Sequence, residues 1–226
     1  MSSDLDLTKM TLLNPDISDC PYDAYGKLRT EAPVWRDNAT GMYVITRYED
    51  VRMVLSDTER FTSARHRGRV DPRSAKIKAM YEQDGWVPGA TLAARDDPEH
   101  REMRGLFNHA FRPSKIKEMD PFIEVLAHQL IDDFIENGQC DWVRSFAIPL
   151  PLIVIGRQMG ARDEDMWQIK AWTDAWVQRL GMMQTDDEAF WSTEQEIEAQ
   201  HYFQPIFERL RQQPDDTLLS DLVNTV

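Results

Sequence analysis

The sequence is poor in the residues that staple, cradle or span. Cys20 and Cys140 are the whole thiol complement of its 226 residues. No signal-peptide pattern marks the first thirty residues, so two distant thiols are expected to sit in a reducing, cytoplasmic setting and to form no disulfide framework. They are also too far apart in sequence to read as a zinc pair. Glycine is sparse, at ten residues, and none forms a phosphate-cradling loop or a Gly-x-Ser-x-Gly elbow. Positive charge is short as well: 26 Lys and Arg face 39 Asp and Glu, a net charge of −13. So acidic a chain is a poor partner for nucleic-acid phosphates, whose binding draws on basic side chains. No run approaches the roughly 20 apolar residues that cross a bilayer. What remains is 42% hydrophobic and 29% charged, the composition of a soluble globular protein.

The pattern along the chain predicts a mainly helical body with a small N-terminal β-hairpin. Asp4 to Asp16 reads as an extended arm around Met10-Thr11-Leu12-Leu13. A first helix is expected from Asp19 or Pro21 to Glu31, since Pro33 disfavours helix just before itself. Val34-Trp35-Arg36 and Met42 to Thr46 read as strands joined by the turn chemistry of Asp37-Asn38-Ala39-Thr40-Gly41. Tyr48 to Leu55 returns to helical spacing. Ser63 to Arg95 is the least regular stretch, mixing Arg65, Arg67, Arg69 and Arg73 with Gly85, Pro88 and Gly89, and is expected to be a long loop, functional or mobile.

Beyond it nearly everything reads as helix. Asp97-Pro98-Glu99 carries a cap, a proline and an early acid. Pro113 opens a long helix closed by Gly138. Pro149 to Met159, Asp163 to Leu180 and Asp187 to Leu210 follow, and Pro214-Asp215-Asp216 precedes a last helix. With no repeat or flexible linker, the expectation is one domain, incomplete, made of an arm, helix and hairpin (1–62), a loop (63–95) and a helical body (96–226).

Glu198-Ala-Gln-His201 has the spacing of one half of a di-iron site, but Glu124 to His128 has the wrong spacing for the other, so the pair is read as a surface Glu and His at helical spacing and the metal reading is set aside. A more informative segment runs from Asp96 through His100 and Arg104 to Pro113. On a helix, positions 100, 104, 107 and 111 share a face. His100 and Arg104 then stand beside Phe107 and Phe111, a set suited to a flat apolar ligand with carboxylates at its edge. A plain amphipathic helix with surface charges explains the same spacing.

Asp-Asp-Pro-Glu-His-x-x-x-Arg followed by Ala110-Phe111-Arg112-Pro113 resembles the C-helix signature of bacterial soluble cytochromes P450. The resemblance extends along the chain. Ala32-Pro33-Val34 and Tyr43 to Val51 look like that family's first sheet leading into its B helix. Phe146 to Pro151 and Ile155 to Gly160 resemble the E-helix region, and Trp167 to Leu180 with Phe190 to Leu210 the F and G helices. By this resemblance His100 and Arg104 hold a propionate of a b-type haem (heme). Trp86 to Leu92, with Trp86, Val87 and Leu92 as pocket residues, roofs the substrate site, and Met182 and Met183 wall it. Trp167, Trp172, Trp176 and Trp191 are expected to be core.

The family's oxygen-activating helix, its Glu-x-x-Arg pair and its haem-ligand cysteine loop have no match in these residues. Neither Cys20 nor Cys140 fits the ligand motif, so a catalytic residue and a metal ligand are both missing from the set. Without the thiolate there is no push toward O–O cleavage. The residues present are expected to be the N-terminal part of a monooxygenase that hydroxylates an apolar small molecule, inactive alone. Apolar helix faces left without partners point the same way. Between His100 and Lys117 five basic residues face one acid, Glu102. The resemblance makes this surface, through Arg101, Arg112 and Lys115, a docking face for an acidic ferredoxin or flavodoxin-type electron donor. The rival readings are a haem-free helical binding scaffold and an acidic interaction module.

Overall fold

The computed structural model describes residues 5–64, 74–180 and 184–225. The chain divides into two compact units, Met1–Arg65 and His66–Val226.

In the first unit, the short helix α1 (Pro15–Asp19) starts where the Asn14 side chain accepts the Asp16 N–H at 3.0 Å. Helix α2 (Tyr22–Glu31) buries Ala24 and Leu28 one turn apart, and Leu28 is wholly covered. Burying such a leucine is worth about 2 kcal/mol. The helix closes at Ala32, ahead of Pro33, as expected. Strands β1 (Val34–Arg36) and β2 (Tyr43–Ile45) pair antiparallel in the register Val34–Ile45, Trp35–Val44 and Arg36–Tyr43. Their turn closes with the Gly41 N–H on the Asp37 carbonyl at 2.7 Å, and Gly41 takes φ +72°, which a side chain would strain. Helix α3 (Tyr48–Ser56) follows.

The leading residues are not an extended arm. Met10 and Ile17 are buried with Ala24, Leu28 and Trp35, and Leu5, Leu7 and Leu12 pack on that cluster. The Trp35 indole donates to the Leu7 carbonyl at 3.2 Å. A polar sequence with a short apolar patch is held here by tertiary contacts that its own pattern does not show.

In the second unit, the stretch expected to be irregular contains helix α4 (Ser74–Asp84) and a single 3₁₀ turn, Leu92–Ala94. The apolar and charged positions of α4 are so mixed that the helix has almost no amphipathic signature, which is why the sequence pattern missed it. Helix α5 (Glu99–Ala110) starts where expected. The long helix after Pro113 is two helices, α6 (Pro113–Glu118) and α7 (Asp120–Ile135). Pro121 has no N–H to offer the carbonyl four residues back, and its ring crowds that carbonyl, so the helix restarts at Asp120. A π-helical turn, Val143–Ala147, leads into α8 (Pro149–Gln158). Then come α9 (Met166–Leu180), α10 (Asp186–Gln212) and α11 (Leu218–Asn224).

Helix α10 is the hub of this unit: α4, α9 and α11 all pack on it, and α5 packs on α11. A capping box starts it, with the Glu188 N–H donating to the Thr185 hydroxyl at 3.3 Å and the Thr185 N–H to the Glu188 carboxylate at 2.8 Å. The core gathers Ala161, Met166, Ile169 and Trp172 against Tyr202 and Phe203. Of the four tryptophans expected there, only Trp172 is buried. Trp167, Trp176 and Trp191 are 45–55% exposed.

Candidate functional site

Helix α5 presents the one segment whose motif carried chemistry. Its first turn is tied down by the His100 N–H on the Asp96 carbonyl at 2.8 Å. Asp97 sits just ahead of the helix. Its carboxylate accepts from Arg101 Nη2 at 2.5 Å and lies 3.6 Å from His100 Nδ1. The Arg101 hydrogen bond is the main reason that this carboxyl is held below its ordinary range.

Arg104 follows His100 by one turn, about 6 Å along the axis. It is exposed, and its side chain makes no hydrogen bond or ion pair among the described residues. Phe107 is half-buried and Phe111 is 45% exposed. His100, Arg104 and Phe107 thus recur at helical spacing along α5, with Phe111 just past its last residue, while Ala110 is buried on another side.

The other predicted residues fall less evenly. Trp86 and Val87 are exposed, and Leu92 is half-buried in the 3₁₀ turn that packs on α5. Met182 and Met183 lie outside the described residues. Among the three basic residues, Arg101 is well exposed. Arg112 donates to Asp221 on α11 at 3.1 Å and to the His109 carbonyl at 3.0 Å. Lys115 is only 7% exposed, with its ammonium 3.9 Å from Glu118.

Glu198 and His201, which share a metal-like spacing, are drawn into other bonds. Glu198 accepts from the Trp172 indole at 3.1 Å, and His201 Nε2 lies 2.5 Å from the Asp84 carbonyl. Among the described residues no cluster of His, Cys, Asp and Glu can hold a metal.

The sequence reading missed the contact between α4 and α10. Tyr81, 3% exposed, donates to Glu196 at 2.6 Å and accepts from Arg179 Nη1 at 2.7 Å, and Arg179 pairs directly with Glu196. Burial, reinforced by the Glu196 charge, pushes the Tyr81 phenol well above its usual range. Just beyond α4, Gln200 grips the backbone of Trp86 from both sides. The Trp86 N–H donates to Gln200 Oε1 at 3.0 Å, and Gln200 Nε2 donates to the Trp86 carbonyl at 2.8 Å. A cleft of about 450 Å³ lies alongside, with Phe190, Met80 and Ile197 on its walls and Lys76 Nζ 3.5 Å above the Phe190 ring. The bonds that Tyr81 and Trp86 make to α9 and α10 span 98 to 115 residues of sequence, so no local pattern announces them.

No family model matches the chain. It is similar to the polyketide biosynthesis cytochrome P450 PksS of Bacillus subtilis strain 168, with 30% identity over 90% of this chain and 50% of that protein. The crystal structure of PksS superposes with a TM-score of 0.74 at 29% identity, covering 95% of this chain and 52% of the other. Cytochrome P450(MEG) of Priestia megaterium is 29% identical over 91% of this chain and 49% of its own length. The structure of CYP109E1 from Bacillus megaterium, solved in complex with testosterone, matches with a TM-score of 0.65 at 27% identity, over 90% of this chain and 48% of that one. The chain spans about half the length of the curated relatives it matches.

Proposed function

Taking as premise that the chain is homologous to bacterial cytochromes P450 over their N-terminal half, we propose that it forms the cofactor-edge and substrate-roof part of a haem-thiolate monooxygenase acting on an apolar small molecule. The observation that carries this reading is Arg104: an exposed guanidinium with no side-chain partner among the described residues, one turn from His100 and at helical spacing from Phe107. An arginine left without a carboxylate in a chain of net charge −13 is suited to a carboxylate from outside the chain.

The residues fit the edge of a flat, carboxylated, apolar group such as b-type haem. Arg104 would grip a propionate through its planar fork, and His100 would add a donor, its ring steadied by Asp97. The thiolate for the iron has no counterpart on α5, and Cys20 and Cys140 are exposed residues outside it. The haem, when bound, supplies the chemistry that activates dioxygen.

Trp86, Val87 and Leu92, with Met182 and Met183, would present apolar surface to the substrate and keep water from it. The basic excess from His100 to Lys117 supports an acidic ferredoxin or flavodoxin as electron donor. Arg101, with its side chain 80% exposed, is better placed to steer such a partner than Arg112 or Lys115.

The test is the absorption spectrum of the purified protein, reduced and then exposed to carbon monoxide. A strongly red-shifted Soret band is expected from the protein that carries the thiolate ligand. No haem band after haem is supplied would overturn the reading in favour of a haem-free binding scaffold.

A further inference from the structure

The reach of the proposed roof is set from α10. Three hydrogen bonds join neighbouring residues of that helix to the backbone at and just past the end of α4: two between the Gln200 amide and Trp86 and one between His201 and the Asp84 carbonyl. The His201 ring also meets the Trp86 indole edge-on, with centroids 6.4 Å apart. Between these anchors lies Gly85, where a Cβ would stand 2.5 Å from Gln200 Oε1 and 3.3 Å from Ile197. A Cβ at this position would therefore collide with the Gln200 amide itself and displace it from the Trp86 backbone.

One turn earlier the buried Tyr81, with the half-buried Glu196 and Arg179, joins α4 to both α10 and α9. Past Trp86, Val87 is exposed, and no regular structure supports the chain until Leu92. The segment from Trp86 to Leu92 is thus held at one end by the clamp from α10 and at the other by the 3₁₀ turn, with the Arg95 side chain donating to the Ala90 carbonyl at 3.1 Å.

We propose that Gln200 and His201 are positioning residues that latch Trp86 to α10, and that this latch determines how far the 86–92 segment extends and so which apolar ligands are accepted. The second half of this statement rests on the proposed function, in which that segment roofs a substrate site. An amide that both accepts from and donates to one residue's backbone fixes its orientation as well as its position, as a ladder pair does between strands. Removing it leaves Trp86 with two unpaired backbone groups that water can reach.

Three variants separate the latch from general damage. Gln200→Ala deletes the clamp and leaves the backbone path open. Gly85→Ala leaves Gln200 in the chain but pushes it aside. Gln200→Glu keeps an acceptor for the Trp86 N–H while losing the donor to its carbonyl, and should fall between Ala and the unmodified protein.

Amide hydrogen exchange, read with or without haem, should rise roughly tenfold or more at Trp86 and its neighbours in both alanine variants, as expected for the loss of paired hydrogen bonds. Exchange within α5 and α7 should stay unchanged. In the haem-loaded full protein, equilibrium dialysis with testosterone as a rigid probe and hexadec-9-enoic acid as a slender one should show their affinity ratio shifting at least about fivefold, a change of about 1 kcal/mol.

Unchanged exchange at Trp86 would overturn the latch. Faster exchange with an unchanged affinity ratio would overturn the control of ligand choice while leaving the clamp established. Absence of haem from the unmodified protein would count against the proposed function instead, and the exchange result would still decide the latch.

Discussion

Asp37 and Arg104 show two ways in which a folded chain can treat a charge. The Asp37 carboxylate, 2% exposed, is surrounded by donors from its own unit: the Thr11 hydroxyl at 2.9 Å and the Leu12, Ala39 and Thr40 amides at 3.2, 2.8 and 3.4 Å. It pins the leading residues to the hairpin turn, and every lone pair it offers is used inside the fold. Arg104 is the opposite case, an exposed charge that nothing among the described residues answers. The first arrangement is complete as it stands. The second leaves a charge in water, open to a partner from elsewhere, which is the role proposed for it.

The sharpest way to break the comparison is Asp37→Ala. It strands four donors at once and should cost about 3 kcal/mol, seen in urea denaturation as a lower midpoint at unchanged slope. A midpoint that barely moves would show that the carboxylate is not the tie it looks to be.

Arg179→Ala comes next. It leaves Glu196 and Tyr81 without their cation in a largely buried setting, at about 2 kcal/mol. Because α4 has so little amphipathic signature of its own, the loss should appear first as faster amide exchange in Ser74–Asp84.

The acid limb of the stability curve gives a finer test. Burial works to raise the Asp37 pKa, but hydrogen bonds from Ala39, Thr11, Leu12 and Thr40 together outweigh it and hold the pKa below its ordinary value. A depressed folded pKa means that the contribution is fully present above the unfolded value of about 4 and is lost as pH falls through the folded value. Asp37→Asn should therefore be less stable than the unmodified protein at neutral pH and should lose less stability on acidification.

Arg104→Ala sets the other end of the scale. It should shift stability by no more than about 0.5 kcal/mol, yet weaken haem retention roughly tenfold, the value of a charge-assisted pair. A large loss of stability would place Arg104 with Asp37 after all.

The start of α5 and the spacing of the candidate residues along it were legible in advance because their signals are local. A cap, a proline and an acid announce where the helix starts, and the four-residue spacing of His100 and Arg104 puts them on one stripe wherever the helix goes. The hairpin was legible for the same reason, since the Asp37–Gly41 turn residues and the flanking alternation act over a few positions. Lys115 shows the limit of this approach. Its sequence neighbours made it look like part of an exposed basic face, and only packing could reveal that it is covered. Pro121 was a local signal that the helical period around it outweighed.

By itself, then, the sequence determined where most helices begin and end, the strand pairing, and which residues of α5 share a face. Tertiary structure alone decided that α4 is a helix, that Tyr81 joins Glu196 and Arg179, that Gln200 and His201 hold the backbone at Asp84–Trp86, and that three of four tryptophans stay exposed. The physical reason is range. Caps, turns and periodicity act within a few residues, whereas a hydrogen bond between groups about a hundred residues apart exists only once the helices that carry them have docked.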